Sequence, residues 1–343
     1  MRIGIISPLW KPVPPEKYGG TEAVVSSITE ELVRRGHDVT LFASGDSKTS
    51  AKLISITEKN LYDIFGYFKW DCLEYDILQI EAVARLSANF DIIHNHNGFV
   101  PLVLTPLIKA PIITTIHSSL PPQPYSLAKA FKDRPFISIS NAQRTLAPYL
   151  NYIKTVYHGI DVSKYHFSEK AGHYLLFMGT FSPHKGADFA IDIAKKAGIP
   201  IVLAGELRKE FEDFYKEKIL SQHDGKNIIV KGELYFEEKI EIFKNALALL
   251  MPVRWTEAFG LVMIEAMACG TPVIGFNKGS IPEVIENGKT GFIVESVEEA
   301  VEAIKKISLI DRHQCRKTVI ERFSIKRMVD EYETLYKELL NER

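Results

Sequence analysis

The sequence predicts an α/β protein composed of two doubly wound domains, each built on a parallel sheet. Short runs of Ile, Val, Leu and Phe alternate with amphipathic segments along most of the chain, and this alternation is typical of parallel sheets. It pauses near a polar segment at 163–172 and then starts again. The length of 343 residues is large for one hydrophobic core and suits two.

The first array begins with a strand, a proline-rich loop, a helix and a second strand. The strands are expected at 2–7 and 38–43, and the loop ends at Tyr-Gly-Gly-Thr-Glu, residues 18–22. Three apolar residues recur at a spacing of four: Val24, Ile28 and Leu32. They predict a helix over 21–35 with Thr21 as its N-cap, which completes a βαβ unit of Rossmann type. The loop lacks Gly-x-Gly-x-x-Gly and gives no basis for assigning NAD.

Further strands of the first array end in polar side chains. They are expected at 92–94, 112–116 and 136–139, whereas 48–90 is predicted to be a mixed, amphipathic region with helical pieces. His94 and His96 have the i, i+2 spacing of one strand face and fit either a metal site or a hydrogen-bonded pair. The pair is favoured because no nearby acid or cysteine completes a metal site. His117 also ends a strand, where side chains face the cleft of a parallel sheet.

The second array repeats the alternation of strands and helices. Its strands are expected at 174–178, 201–204, 228–230, 249–252, 272–275 and 291–294. Its helices are expected at 187–197, 211–220, 237–247, 297–307 and 312–322, with another that begins near Phe259 and a last one at 325–340. Two arrays of similar size imply two domains with a cleft between them.

The loop that opens the second array suits phosphate. Residues 179–186 are Gly-Thr-Phe-Ser-Pro-His-Lys-Gly, so Lys185 stands between a strand and the following helix. Backbone N–H groups at a helix N-terminus bind anions, and an ammonium group neutralises them. This signal is weak for one loop because surface lysines beside glycine are common. Arg254 emerges from another strand end of the same sheet, so two cations are expected to converge, as a diphosphate would require.

The segment from Arg254 to Glu265 carries two carboxylates. Glu257 lies in the loop before the expected helix, and Glu265 lies about two turns later among apolar residues. A buried carboxylate is costly unless it is paired or binds something. The spacing favours separate roles, with Glu257 on a polar ligand and Glu265 on a hydroxyl group farther along the cleft. The structural alternative is that Glu257 caps the helix and that Glu265 is a buried ion-pair partner.

Composition and missing motifs narrow the function classes. The net charge of −1 gives no global reason to expect nucleic acid as a partner. Three separated cysteines form no Cys-x-x-Cys, and the sequence contains no Asp-x-Asp, Gly-x-Ser-x-Gly or Walker lysine motif. No run approaches the roughly 20 apolar residues of a membrane span, and the apolar start is too short for a signal peptide. We expect a cytoplasmic protein, with peripheral membrane contact as an open alternative.

These motifs together resemble the retaining glycosyltransferases of family 4, which have the GT-B architecture of two facing Rossmann-like domains. The matching segments cover nearly the whole chain in the family's order: 18–22, 90–96, 158–161, 179–186, 257–260 with Glu265, 268–274, 279–283 and 287–292. The resemblance implies an N-terminal acceptor-binding domain at 1–163 that includes a C-terminal helix at about 325–343. It implies a nucleotide-sugar-binding domain at 164–324.

The resemblance also implies a role for each matching site residue. Lys185, with Arg254 as a helper, would neutralise the donor diphosphate. Glu257 and the N–H groups of Phe259, Gly260 and Leu261 would hold the sugar hydroxyls. The remaining positions are Glu265 on the ribose, Gly232 near the base, Gly19 and Gly20 as backbone contacts to the donor, and His117 facing the sugar.

One position departs from the family pattern. Members usually have an arginine directly after the glycine that corresponds to Gly179, and here Thr180 occupies that place. A neutral hydroxyl cannot replace a bidentate cation at a pyrophosphate. The charge would then rest on Lys185 and Arg254, or on Arg208.

The resulting hypothesis is a retaining hexosyltransferase that uses a nucleotide diphosphate sugar, with a UDP- or GDP-sugar favoured, and an acceptor hydroxyl. No cofactor or essential metal is expected, and the partners are the donor and an acceptor that is a small molecule, a glycan or a lipid-linked group. Cations and helix dipoles would stabilise the departing diphosphate. The alternatives are a nucleotide-sugar epimerase of the same fold and a non-catalytic nucleotide-sugar-binding protein.

Overall fold

The computed structural model describes residues 1–66 and 72–341 and contains two compact units. One unit comprises Met1–Gly159 together with the chain from Ile325 onward, and the other comprises Ile160–Ser324. The first crossing therefore lies a few residues before the expected boundary at 163. Each unit is a parallel α/β sheet, which confirms the predicted fold class.

In the part of the chain that the structure describes, the first unit is built on seven parallel strands. In chain order they are β1 (Arg2–Ile6), β2 (Asp38–Phe42), β3 (Lys52–Ile54), β4 (Ile92–Asn95), β5 (Ile112–Thr115), β6 (Phe136–Ser138) and β7 (Tyr152–Thr155). Their order across the sheet is β3-β2-β1-β4-β5-β6-β7. The apolar run of β1 is fully buried from Ile3 to Ile6, as expected for a central strand with helices on both faces.

Between these strands, the described residues before Gly159 form five helices. They are α1 (Gly20–Arg34), α2 (Leu61–Phe65), α3 (Cys72–Leu86), α4 (Ser126–Phe131) and α5 (Asn141–Leu146), with 3-10 turns at Ser87–Asn89 and Val100–Leu107. Gly19 occupies the N-cap position of α1, so the prediction of Thr21 as N-cap is wrong. The mixed region predicted at 48–90 contains β3, α2 and α3, and its residues 67–71 lie outside the described residues.

The C-terminal helix, Ile325–Asn341, packs on the first unit. Arg35 at the end of α1 donates to Asp330 at 2.8 Å and to Glu333 at 2.5 Å. On its inner face Tyr332 and Tyr336 are completely buried. Because two carboxylates of this helix pair with Arg35 and its apolar face is buried, the helix is an integral part of the first unit.

The second unit is built on six parallel strands. They are β8 (Leu175–Met178), β9 (Ile201–Ala204), β10 (Ile228–Val230), β11 (Ala248–Met251), β12 (Val273–Phe276) and β13 (Gly291–Val294), in the order β10-β9-β8-β11-β12-β13. Its helices are α6 (Ala187–Ala197), α7 (Glu212–Phe214), α8 (Phe236–Lys244), α9 (Leu261–Ala268), α10 (Ile281–Val284), α11 (Val297–Lys305) and α12 (Arg312–Arg322). The C-terminal helix Ile325–Asn341, which belongs to the first unit, is α13. Shorter turns lie at Val162–Lys164, Lys209–Phe211, Leu220–Gln222 and Ile307–Leu309, and Tyr215–Ile219 is a π-helical turn.

Each sheet reverses its direction of growth at one place. The first does so between β1 and β4, and the second does so between β8 and β11. Loops that leave the carboxyl ends of two such strands diverge and open a crevice, which is where open α/β sheets bind ligands. The topology therefore directs attention to the loops after β1 and β4 and after β8 and β11.

Candidate functional site

The loops after β8 and β11 form the centre of the candidate site in the second unit. The backbone N–H of Arg254 donates to the carbonyl oxygen of His184 at 2.8 Å and ties the two loops together. Lys185 stands directly before Gly186, the N-cap residue of α6. Glu257 stands shortly before Gly260, the N-cap residue of α9. Two helix N-termini thus flank one pair of charged side chains.

Lys185 and Glu257 contact each other directly. The Nζ atom of Lys185 donates to Oε2 of Glu257 at 2.5 Å, and Nε1 of Trp255 donates to the same oxygen at 3.1 Å. The lysine side chain is 21% exposed and that of Glu257 is 7% exposed, so the pair borders solvent at the lysine. An ammonium has three donors, and Glu257 is its only hydrogen-bonding partner among the described residues.

Arg254 is used elsewhere in this loop pair. Its guanidinium forms an ion pair with Asp188 in the first turn of α6 and lies 3.7 Å from the ring centre of Phe189. It also donates to the carbonyl oxygen of Pro183 at 3.2 Å. Asp188 therefore neutralises the charge of Arg254 locally, and the convergence of Lys185 and Arg254 on one diphosphate stays a prediction.

The start of α9 supplies backbone donors. Gly260 is in the left-handed conformation at the N-cap, and no described side chain caps the helix, so the interpretation of Glu257 as its cap is wrong. The N–H groups of Gly260 and Leu261 donate to no described residue, as is usual at a helix N-terminus. The carbonyl oxygen of Phe259 accepts from Ser280 Oγ at 2.9 Å, which fixes the turn.

Glu265 is already paired within the second unit. Its Oε1 atom accepts from the hydroxyl of Tyr165 at 3.0 Å and from Nζ of Lys239 at 3.1 Å. Burial and the adjacent Glu265 carboxylate raise the pKa of Tyr165 well above its usual range, so the phenol remains a donor. The structural alternative of an ion-pair partner is thus correct for this state, whereas Oε2 accepts no hydrogen bond from a described residue.

The loops after β8 and β9 lie side by side at the same edge. Thr180 is buried, and the next residue donates its N–H to the carbonyl oxygen of Glu206 at 2.9 Å. Glu206 is 3% exposed and accepts from Nε of Arg208 at 2.8 Å. The carbonyl oxygen of Gly232, after β10, accepts from the Gly205 N–H at 3.2 Å. Arg208, like Arg254, therefore has a carboxylate partner of its own.

In the first unit Gly19 and Gly20 form the start of α1. This helix follows the long loop after β1, at the reversal point of the sheet. Pro15 lies so close to Gly19 that an added Cβ would meet the proline Cβ at 2.7 Å. Close packing of the loop thus requires glycine at this helix start.

Four histidines of the first unit form a chain of ring contacts: His94, His96, His117 and His158. The first two rings lie 3.9 Å apart, and His96 Nδ1 hydrogen-bonds to His117 Nε2 at 2.8 Å. His158 stacks on His117 with ring centres 5.1 Å apart. Burial lowers the pKa of every ring, to about 3 for His94 and for His117, so all four are neutral at physiological pH.

The metal interpretation of His94 and His96 does not fit these contacts. Nδ1 of His94 hydrogen-bonds to the Tyr336 hydroxyl and Nε2 to Oγ1 of Thr115, both at 2.7 Å. Both nitrogens are occupied, so His94 cannot act as a metal ligand without losing a buried hydrogen bond. Within 1–66 and 72–341 no three His, Cys, Asp or Glu side chains are placed to hold a metal ion.

Sequence reasoning missed the partners of these groups. Tyr165 and Lys239 at Glu265, Asp188 at Arg254, and the link between His96 and His117 all depend on distant parts of the chain. For the two histidines, their positions at strand ends were a signal that they could meet. No local sequence pattern marks Tyr165, Lys239 or Asp188 as partners of the site residues.

Two family models together cover most of the chain. Glycosyltransferase Family 4 matches residues 18–164, and Glycosyl transferases group 1 matches residues 162–322. The N-acetyl-alpha-D-glucosaminyl L-malate synthase of Bacillus anthracis is 25% identical over 94% of this chain and 95% of its own. Among the described residues no helix is long and apolar enough to cross a membrane.

Solved structures with the same fold extend over the whole chain. A sucrose-phosphate synthase from Thermosynechococcus elongatus superposes with a TM-score of 0.82 at 19% identity, covering 100% of both chains. Anabaena HepE in complex with UDP-glucose superposes with a TM-score of 0.75 at 16% identity, again covering 100% of both chains. At such low sequence identity, these superpositions show a shared fold alone.

Proposed function

This chain belongs to glycosyltransferase family 4 and has the GT-B fold, and we propose that it transfers a hexose from a nucleotide diphosphate sugar to an acceptor hydroxyl. We propose further that the sugar keeps its anomeric configuration and that no metal ion is essential. UDP-glucose is the first donor to test because it is bound in the similar Anabaena protein. A GDP-sugar is the second.

The contact between Lys185 and Glu257 carries this proposal. It lies at the carboxyl edge of β8 and β11, where the second sheet reverses direction, and between the N-termini of α6 and α9. A cation and a carboxylate side by side suit a ligand with an anionic part next to a hydroxylated part. A sugar diphosphate is such a ligand.

To catalyse this reaction, the site would have to stabilise the negative charge that develops on the departing diphosphate. In the proposed reaction the bond between the anomeric carbon and the diphosphate oxygen breaks, and both electrons leave with the diphosphate. Lys185 would donate to its oxygens, and the positive end of the α9 dipole would face the same charge. The acceptor oxygen bonds to the anomeric carbon on the departure face, and its proton passes to a donor phosphate oxygen.

Glu257 would hold the sugar rather than attack it. Its Oε2 atom already accepts two hydrogen bonds, whereas Oε1 accepts none from the described residues and is available for a sugar hydroxyl. The N–H groups of Gly260 and Leu261 would bind further sugar oxygens. A carboxylate fixed by Lys185 and Trp255 is preorganised for this task.

The other site residues keep the roles that the resemblance implies. Glu265 would accept from the ribose hydroxyls through Oε2, and the loop at Gly232 would border the base. Gly19, Gly20 and His117 of the first unit would contact the donor. Arg254 has only an indirect part, because it supports the Lys185 loop through Asp188 and Pro183.

The test is turnover of UDP-glucose, followed by proton NMR of the released sugar. We expect slow hydrolysis that first yields α-glucose, the anomer present in the donor, and a loss of about 100-fold or more in Lys185→Ala. Lys196→Ala is the matched control, because Lys196 forms an exposed pair with Glu298 at the same 2.5 Å distance. Initial β-glucose would contradict retention.

Other products separate the alternative functions. Formation of a second nucleotide sugar without release of UDP would identify an epimerase. Tight binding of UDP-glucose with no turnover, in the presence of a panel of sugar and polyol acceptors, would identify a binding protein. Equal turnover in wild type and Lys185→Ala would refute the site assignment.

A further inference from the structure

Tyr165 lies in the segment that leads into the second unit, outside the loops that form the candidate site. It directly follows the turn Val162–Lys164 and is 6% exposed. Its ring packs edge-on against Phe236 at the start of α8, with the ring centres 5.5 Å apart. Its carbonyl oxygen accepts from Nη1 of Arg316 at 2.7 Å. Because the ring and the backbone are both held, the phenol hydroxyl has a defined position.

The hydroxyl of Tyr165 and the ammonium of Lys239 share one oxygen of Glu265. Both donate to Oε1, at 3.0 Å and at 3.1 Å. A carboxylate has about four lone-pair sites, which the two oxygens share equally, so these two donors saturate Oε1. Oε2 accepts from no described residue. The two donors therefore decide which carboxylate oxygen stays available to a ligand.

Glu265 lies on the open face of α9. Most of this helix is buried, namely Met263, Ile264, Ala266, Met267 and Ala268. The partly exposed residues, Leu261, Val262 and Glu265, have the spacing i, i+1, i+4 of a single helix face. Glu265 is about 6 Å along the axis from Leu261, the first residue of the helix. A nucleotide sugar that binds at this helix N-terminus can therefore reach the Glu265 carboxylate with its ribose.

The tyrosine and the lysine differ in how firmly they select Oε1. Lys239 has a flexible stem and a 20% exposed side chain, and its ammonium can bridge either oxygen of a carboxylate. The Tyr165 hydroxyl is carried by a buried ring and points to one place. Without this hydroxyl the ammonium alone would hold Glu265, and the carboxylate could turn until Oε2 also contacts the lysine. A ribose hydroxyl would then have to displace Lys239.

We infer that Tyr165 is a positioning residue for the nucleotide: its hydroxyl holds Oε1 of Glu265 and so leaves Oε2 as the acceptor for a ribose hydroxyl. This inference rests on the proposed function, in which Glu265 binds the ribose. In this scheme Tyr165 acts on the ligand only through Glu265.

Calorimetry with two nucleotides separates positioning from a general structural role. Tyr165→Phe should raise the Kd for UDP about tenfold, because a poorly oriented Glu265 holds the ribose less well. It should leave the Kd for 2′,3′-dideoxy-UDP unchanged, because that nucleotide has no ribose hydroxyl for Glu265 to bind. Tyr174→Phe is the matched control, since it removes a hydroxyl that donates to the carbonyl oxygen of Ile242 at 2.8 Å in the same unit. Its Kd for both nucleotides should equal that of the wild type.

Three calorimetric results would overturn the inference. Equal losses of affinity for UDP and for 2′,3′-dideoxy-UDP in Tyr165→Phe would show a general structural role. An unchanged Kd for UDP in a folded Tyr165→Phe would show that the hydroxyl does not orient Glu265 for the ligand. A wild type that binds both nucleotides equally tightly would remove Glu265 from the ribose. If GDP binds in place of UDP, GDP and its dideoxy analogue are the probes.

A crystal structure of the wild type with UDP gives a second readout that does not depend on the folding of a variant. We expect the Tyr165 hydroxyl to stay on Oε1 of Glu265 and a ribose hydroxyl to lie within hydrogen-bond distance of Oε2. A ribose hydroxyl on Oε1, with Tyr165 displaced, would overturn the inference. A wild type that binds neither UDP nor GDP would refute the proposed function, whereas nucleotide binding combined with any contrary result above would overturn the inference alone.

Discussion

Replacing Gly279 by alanine should disable the site while the chain still folds. Gly279 has a φ of +61°, and an added Cβ would lie 2.2 Å from the carbonyl oxygen and 2.4 Å from the nitrogen of Glu257. The next residue, Ser280, donates its N–H to the same carbonyl oxygen at 2.9 Å. The loop after β12 thus supports the backbone that carries the Glu257 carboxylate.

Two terms set the magnitude. A side chain in the left-handed region costs about 1–2 kcal/mol of folding free energy. Relieving the steric contact requires a displacement of about 1 Å at Glu257, and a misplacement of that size can cost about 100-fold in rate. We therefore expect Gly279→Ala to lower kcat for UDP-glucose turnover about 100-fold.

Gly288→Ala is the matched control. Gly288 lies in the same unit with a φ of +77°, and no atom lies within 4 Å of the position of an added Cβ. It carries the same backbone cost without the steric contact, so its rate should stay within about twofold of wild type. Thermal unfolding of both variants checks that they fold. Equal rates for the two variants would refute the link between the β12 loop and Glu257.

Three further results are expected. Glu265→Gln should weaken UDP binding about tenfold or more in calorimetry, because hydrogen bonds to a charged group contribute about 1.5–3 kcal/mol, and an unchanged Kd would remove Glu265 from the ribose. Acid should destabilise the first unit. Burial lowers the pKa of His94 from 6.5 to about 3. The neutral His94 ring therefore contributes its full stabilisation of the folded state above pH 6.5, and this contribution is lost as the pH falls toward 3. Because of His94, the free energy of unfolding should be about 2 kcal/mol lower at pH 5 than at pH 8. In urea unfolding, His94→Gln should weaken the dependence of this free energy on pH, and an unchanged dependence would contradict the prediction. UDP-glucose turnover should persist in EDTA, and its loss with recovery in Mn²⁺ would show that a metal is required.

The sequence predicts elements whose residues are uniformly apolar or regularly spaced. Strand β9 and helix α6 have the expected bounds, because β9 is a buried apolar run and α6 lies between two left-handed glycines, Gly186 and Gly198. The two edge strands of the first sheet were missed. Strands β3 and β7 contain lysines and are partly exposed, so their sequences do not stand out from loop.

Site residues that follow the ends of strands could be predicted from the sequence. Partners that lie on the faces of helices could not. Lys185 and Glu257 are 72 residues apart, yet both follow strands of one sheet, so their proximity follows from topology. Arg254 also follows a strand, but its partner Asp188 lies on a helix. Which face of a helix meets a given loop depends on tertiary packing, which the local sequence does not encode.

The path of the chain has a consequence for dissecting the protein. The chain leaves the first unit after Gly159 and returns at Ile325, and the two crossings run side by side, since Ile160 N–H donates to the carbonyl oxygen of Phe323 at 2.9 Å and Ile160 bridges Ser324. The second unit is in effect an insertion with both junctions at one place. Splicing residue 159 to 325 through a short linker would restore a continuous first unit. A stop codon after 324 would instead remove Tyr332 and Tyr336 from its core and damage the half of the protein that lies farthest away in sequence.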